Sequence, residues 1–325
     1  MDGTRQSIQF AAADGYALAG HWHLPAESGV PKAAAVVACG GGIPARFYGR
    51  FADHLAQSGI AVLTFDYRGI GASRHGSLRG LEAGLEHWGR EDFGAAVALA
   101  ASSFPGVPLC AIGHSVGNLL IGAAPDAPRF ARIVMLAPHT GYWRHYGRKW
   151  RGALHLTWHG VMPVVTKMVG FFPGRALRLG EDLPKGVAMQ WAGRRQPQLL
   201  ATPEHRRQFG RILAGYGDVG CPTLVLSITD DAFAPPEAGR HFLDVYPNLK
   251  VVHESVAPAD LGMRRLGHFA FLRRPAGPWF WDRIAAWLLQ AEWVGRASNH
   301  GVSSSVVPPS GTKGRMPAGS AALFL

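Results

Sequence analysis

Cysteine is scarce: Cys39, Cys110 and Cys221 are the only three in 325 residues. They are odd in number and set far apart, so the chain has neither a CxxC redox pair nor a disulfide ladder. A reducing compartment suits it better than secretion. Long apolar runs are also missing. Lys167 breaks the stretch from 161 to 172, and no run reaches the roughly 18 residues that a membrane span needs. The first ten residues are polar and lack the apolar centre of a signal peptide. These absences predict a soluble, cytoplasmic protein. What remains is ordinary globular material, 47% apolar and 17% charged with 42 Gly and 23 Pro. That composition excludes a disordered or collagen-like chain and is ample for one large α/β domain or two.

Acids are outnumbered, 22 against 33 Lys and Arg, for a net charge of +11. Such a balance would point to nucleic acid if it were spread over the surface. It is not. Between Gly141 and Tyr216 there are thirteen basic residues and three acids, a local charge of +10, and the rest of the chain is nearly neutral. The basicity belongs to one segment, and no nucleic-acid partner is expected.

Outside that segment, short apolar runs alternate with helical stretches. Ser7 to Leu24 reads as a hairpin around Asp14-Gly15. Strands are expected at Ala33 to Ala38, Ala61 to Phe65, Leu109 to Ile112, Ile133 to Leu136, Thr223 to Ile228 and Lys250 to His253. Helices are expected near Ala45 to Ser58, Glu91 to Ser103, after Ser115, Pro236 to Val245 and Trp279 to Leu289. This rhythm predicts an α/β fold, a mostly parallel central sheet flanked by helices. It stops between 141 and 216, where Trp143, Trp150, Trp158 and Trp191 lie among the basic residues. The expected organisation is a core over 1–140 and 217–296, an inserted, mostly helical cap over 141–216, and a disordered tail over 297–325 rich in Ser, Gly and Pro. A plain second layer with a solvated basic face is the other reading of the insert.

The strongest chemical signal is Gly113-His114-Ser115-Val116-Gly117. It follows a strand and opens a helix, the context that forces a serine into a sharp turn and lifts its hydroxyl above the sheet edge. A nucleophilic serine needs a base, and the base needs a carboxylate to orient it. His268, before the last helix, and Asp231, just past the 223–228 strand, complete that order. Asp230 is the rival acid. Asp231 is preferred because Pro235, four residues on, starts the next helix. A helix cap is the structural alternative for either Asp, and a buried structural imidazole is the alternative for His268. An oxyanion hole needs two backbone N–H donors. Val116 and Gly41, in the Cys39-Gly40-Gly41-Gly42 loop, are the candidates, a plain turn being the alternative for the loop.

Other groups carry less. His155 and His159 are spaced i, i+4, but no HExxH glutamate or third ligand accompanies them, so no metal is expected. Glu181-Asp182 reads as surface or cap structure, and Asp66 and Arg68 as braces of a loop beneath the site. No GK[ST] follows the three glycines, so they are not a phosphate loop. No cofactor is expected.

Over about residues 1–293 the chain resembles the α/β-hydrolase superfamily, and within it bacterial α/β hydrolases related to serine aminopeptidases and monoacylglycerol lipases. The resemblance rests on Asp66-Tyr67-Arg68-Gly69-Ile70-Gly71-Ala72-Ser73, the Ser115 elbow, Gly141-Tyr142-Trp143-Arg144-His145 and Phe172-Pro173-Gly174-Arg175. Gly180-Glu181-Asp182-Leu183-Pro184, Thr229-Asp230-Asp231 and Gly267-His268-Phe269 extend it. It implies the α/β-hydrolase fold and a serine hydrolase acting through an acyl-enzyme. Cys39 stands where many such enzymes have His. With the aromatic, basic insert, the expected partner is a small acyl substrate, apolar with an anionic end, or else an anionic lipid surface met peripherally. An acyltransferase using the same triad, and a binding module on the same fold, are the alternatives.

Overall fold

The computed structural model describes residues 4–26, 29–193, 210 and 215–290. The tail expected over 297–325 lies outside the described residues, as does most of 194–214. Ten strands are described: β1 Thr4–Ala11, β2 Ala17–Leu24, β3 Ala33–Ala38, β4 Ile60–Phe65, β5 Leu109–His114, β6 Arg132–Leu136, β7 Phe171–Phe172, β8 Leu183–Pro184, β9 Pro222–Ile228 and β10 Lys250–Val256. Eight of them form one sheet in the order β1-β2-β4-β3-β5-β6-β9-β10. β1 and β2 are antiparallel, β2 runs antiparallel to β4, and every pairing from β4 to β10 is parallel.

The sequence pattern follows from position in this sheet. Central strands β3, β4, β5 and β6 are buried at every residue, because helices cover both faces; they therefore read as continuous apolar runs. Edge strands β1 and β10 mix exposed and half-buried residues and alternate. The covering helices are α1 Gly49–Gln57, α2 Gly94–Ser103, α3 Gly117–Ile121, α7 Pro236–Leu243 and α8 Gly277–Leu288. A π-helical stretch, His87–Phe93, leads into α2, so the helix starts earlier than its apolar periodicity predicts. Its wide turns obey no 3.6-residue spacing. A single 3₁₀ turn, Ala45–Tyr48, precedes α1.

Between β6 and β9 the described chain holds α4 Arg148–Leu156, a π turn Thr157–Val161, α5 Met162–Val169, the small β7–β8 hairpin and α6 Lys185–Ala192. Neighbouring parallel strands β3, β5, β6 and β9 end on one edge of the sheet. The loops that leave that edge carry Gly41, Ser115, His139 and Asp231, and His268 joins them from beyond β10. Among the described residues, no helix is long and apolar enough to cross a membrane.

Candidate active site

Ser115 has φ of 56°, a left-handed backbone rare for a residue with a Cβ. Tight packing holds it there. A Cβ on Gly113 would lie 2.5 Å from Asn118 Oδ1, and one on Gly117 would strike the Ala38 carbonyl, so only glycine lets β5 turn into α3 this closely. The turn is pinned by the Ser115 N–H donating to the Leu136 carbonyl at 3.0 Å. Asn118 Nδ2 donates to the carbonyls of Ser115 and Leu136, each at 2.9 Å.

The structure brings Asp231 and His268 together. His268 Nδ1–H donates to Asp231 Oδ2 at 2.7 Å, with both side chains almost fully buried. Asp231 Oδ1 accepts the N–H groups of Phe233 at 2.8 Å and Ala234 at 3.0 Å. Burial pushes the Asp231 carboxyl up, but the His268 ring and these amides more than offset it and hold the group below its ordinary range. Asp230 is occupied otherwise, accepting the backbone N–H groups of Leu266 and Gly267 at 3.0 Å each.

Ser115 is not joined to that pair. Its Oγ is hydrogen-bonded to Nε2 of His139 at 3.1 Å, and among the described residues it makes no hydrogen bond to His268. His139 sits just beyond β6, after Ala137, itself left-handed with φ of 46°. The Tyr146 hydroxyl lies 3.3 Å from His139 Nδ1. The ring centroids of His139 and His268 are 6.2 Å apart, so two imidazoles flank one hydroxyl. Sequence reasoning missed His139. The available signal was its place at the C-terminal end of a strand neighbouring the elbow, the same edge that supplies the other site residues.

Gly41 and Val116 meet at the cavity: a Cβ on Gly41 would lie 3.3 Å from Val116 Cγ1. Among the described residues neither backbone N–H has a hydrogen-bond acceptor, the state expected of amides kept for a ligand. The Gly40 N–H is spoken for, since it donates to the Tyr48 hydroxyl at 2.8 Å. Tyr48 O–H in turn reaches His114 Nδ1 at 2.8 Å, and His114 Nε2–H donates to the His268 carbonyl at 3.3 Å. Complete burial and the neighbouring His268 ring push the His114 imidazole down to about 3, so it is a neutral bridge. This buried chain ties the glycine loop, the elbow and the His268 loop into one unit.

Cys39 is buried, its thiol directed at the Phe65 carbonyl at 3.6 Å, and burial raises it well above the usual thiol range. Asp66 braces the loops beneath, accepting the Ala45 N–H at 2.7 Å and the Ala72 N–H at 2.8 Å. Arg68 joins Asp92 and Asp14. Of the two readings of Glu181-Asp182, surface or cap structure, the surface one is corrected: both are buried. Glu181 pairs with Arg175 and Arg46, Asp182 pairs with Arg74 at 2.9 Å, and the Glu181 N–H donates to the Gly42 carbonyl at 2.9 Å. Their salt bridges were invisible in sequence because two of the arginines lie more than 100 residues away. His159 Nδ1–H donates to the Ala192 carbonyl at 2.7 Å, and His155 and His159 pack ring to ring at 4.9 Å. Among the described residues no three His, Cys, Asp or Glu side chains are grouped to hold a metal.

Above Ser115 opens a cavity of about 760 Å³, mouth included. Its walls are apolar and aromatic, chiefly Trp88, Trp158, Met162, Phe172, Leu183 and Trp191, with Ser115 and His139 facing in. Several of these come from the segment between β6 and β9.

The family model described as "Serine aminopeptidase, S33" matches residues 29–255, more than half of the chain. The chain belongs to this family. The chain is also 30% identical over 112 residues to a monoglyceride lipase homolog of monkeypox virus, a match covering 33% of this chain and 39% of that protein. The chain thus spans about two fifths of the length of that relative. Two solved structures share the fold, each at 16% identity and a TM-score of 0.55. The esterase domain of a Rhodothermus marinus protein is matched over 87% of this chain and 97% of its own. An esterase of Pyrococcus furiosus is matched over 88% and 91%. The chain is therefore an α/β hydrolase related to aminopeptidases and monoacylglycerol lipases.

Proposed function

We propose that the protein is a serine hydrolase that cleaves carboxylic esters with an apolar acyl group. One observation carries the reading: a serine in a left-handed strand-to-helix turn faces an apolar cavity beside a buried His–Asp pair. In the reaction Ser115 Oγ attacks the acyl carbonyl carbon while its proton passes to His268 Nε2, and Asp231 steadies the imidazolium. The developing oxyanion takes the N–H groups of Gly41 and Val116. Collapse breaks the ester bond, and the alcohol leaves with the proton from His268. Water then gives a proton to His268 and attacks the acyl-enzyme, and the acid departs as Ser115 recovers its proton. For the first step Ser115 turns from His139 to His268; catalytic contacts that are open without substrate commonly close in its presence.

The segment over 141–216 serves in this reading as a cap. It supplies Trp158, Met162, Phe172 and Trp191 to the acyl cavity, and its two acids in the described part are buried and paired. Its outer face is accordingly basic and apolar, which suits substrate drawn from an anionic lipid surface. The three free thiols suit a reducing cytoplasm.

Labelling with a fluorophosphonate probe tests the reading. Modification of wild type at Ser115, lost together with ester turnover in Ser115→Ala, is the expected result. A Ser115→Ala variant that turns over as wild type does would end it.

A further inference from the structure

The reaction just described gives His139 no part, yet the resting nucleophile is bonded to it. Resting on the serine-hydrolase reading, the geometry points to His139 as a specificity-determining positioning residue, one that holds Ser115 away from His268 until an acyl chain fills the cavity.

Three observations meet here. Ser115 Oγ and His139 Nε2 are hydrogen-bonded at 3.1 Å; with the hydroxyl as donor, this contact must break before it can give its proton to His268. His268 rests on a carboxylate at 2.7 Å, the kind of partner that stabilises the imidazolium which proton transfer creates. His268 is therefore the base, and His139, whose Nδ1 lies 3.3 Å from the Tyr146 hydroxyl, is the holder. Finally, His139 is itself part of the cavity wall, its ring set edge-on to Trp191 at 5.6 Å, with Tyr146 against Trp158 at 5.3 Å.

A chain that occupies the cavity must pack against the His139–Tyr146–Trp191 face, and so acts on the group that restrains the nucleophile. A short acyl group reaches Ser115 without filling the cavity along Tyr146 and Trp191, and meets a serine still bonded to His139. The substrate class selected in this way is esters of medium or long unbranched acyl chains, discriminated at the acylation step and not by affinity alone. An interaction present in the resting complex and absent from the transition state slows the step it precedes, and its removal speeds that step.

The experiment compares p-nitrophenyl acetate with p-nitrophenyl octanoate and reads the burst-phase acylation rate at saturating ester. In His139→Ala the rate on acetate rises about three- to tenfold, the size of one net hydrogen bond, and it rises more than the rate on octanoate, so the octanoate-to-acetate ratio falls. His139→Gln, which keeps an amide near the position of Nε2, restores the wild-type pattern. Tyr146→Phe leaves His139 in place but loosens it; it gives the same change at smaller size and decides between the outcomes where His139→Ala does not fold. An acetate rate that is unchanged or lower, or two rates that rise by one factor, overturns the inference. Failure of the parent reading looks different, because wild type would then not be labelled at Ser115 at all.

Discussion

His268 hands its Nδ1 hydrogen to Asp231 at 2.7 Å, and the adjacent carboxylate, Asp230, spends both oxygens on the backbone that carries His268. Two neighbouring acids thus serve one histidine in different ways, one through its ring and one through its loop. Asp231→Asn places an amide where a carboxylate fixes the tautomer, and kcat/KM is expected to fall about a thousand- to ten-thousandfold. Asp230→Asn keeps an oxygen acceptor but loses the charge, and its effect falls mainly on stability, at about 1–3 kcal/mol. Ester turnover and chemical denaturation of the two variants check this. The reverse order of effects would move the orienting role to Asp230.

The Tyr48 hydroxyl joins the Gly40 N–H to His114, each at 2.8 Å. Tyr48→Phe leaves a buried donor and a buried acceptor unpaired, which costs about 1–3 kcal/mol for each group without a replacement partner. Because Gly40 precedes Gly41, the loop that carries the proposed oxyanion donor loses its anchor as well. The expected result is a lower denaturation midpoint and a kcat reduced by about tenfold or more, within the range for a weakened oxyanion donor, at nearly unchanged KM. A variant with wild-type kcat would separate the Tyr48–His114 chain from the site.

His114 makes stability depend on pH. Its folded value is about 3 against 6.5 for the exposed ring, so below about pH 6.5 the unfolded chain binds a proton that the folded protein refuses. The contribution is complete above pH 6.5 and is lost progressively as pH falls towards 3, at up to about 1.4 kcal/mol per pH unit. Urea midpoints measured from pH 7.5 to 4.5 should fall more steeply in wild type than in His114→Gln, which cannot take up that proton. Parallel curves would mean that the ring is already solvated in the folded state.

Much of this was legible in the chain. The bounds of β3 and the strands that bury both faces could be read directly, because a strand covered on two sides is apolar throughout. The elbow was legible because Gly113 and Gly117 are demanded by close approach. The two-histidine arrangement was not. His139 is one of fifteen histidines, with no spacing to mark it, and its contact with Ser115 exists only because β5 and β6 are neighbours. The Glu181 and Asp182 pairs were hidden for the same reason: their partners Arg46 and Arg74 come from the other side of the sheet domain in sequence. Local pattern reports what a residue does for its own element, and sites are assembled between elements.

The 148–178 stretch exposes apolar side chains among basic ones. Leu156, Val161, Val164 and Met168 are exposed at 63%, 44%, 56% and 81%, and Arg148, Lys149, Lys167, Arg175 and Arg178 are exposed in the same stretch. In the described residues from 141 to 193 the only acids are Glu181 and Asp182, both buried. An apolar strip within a cationic rim is suited to rest on anionic lipid, each basic group near the surface adding about 1 kcal/mol and the apolar side chains burying area. Co-sedimentation is expected with phosphatidylcholine vesicles containing phosphatidylglycerol, weakening as salt rises because the charge part is screened within about 8 Å at physiological ionic strength. Pure phosphatidylcholine should retain much less protein. Val164→Asp with Met168→Asp should abolish the association and leave turnover of a water-soluble ester as in wild type, since neither residue lines the cavity. Equal retention on charged and neutral vesicles, unaltered in the double variant, would leave this face as an ordinary solvated surface.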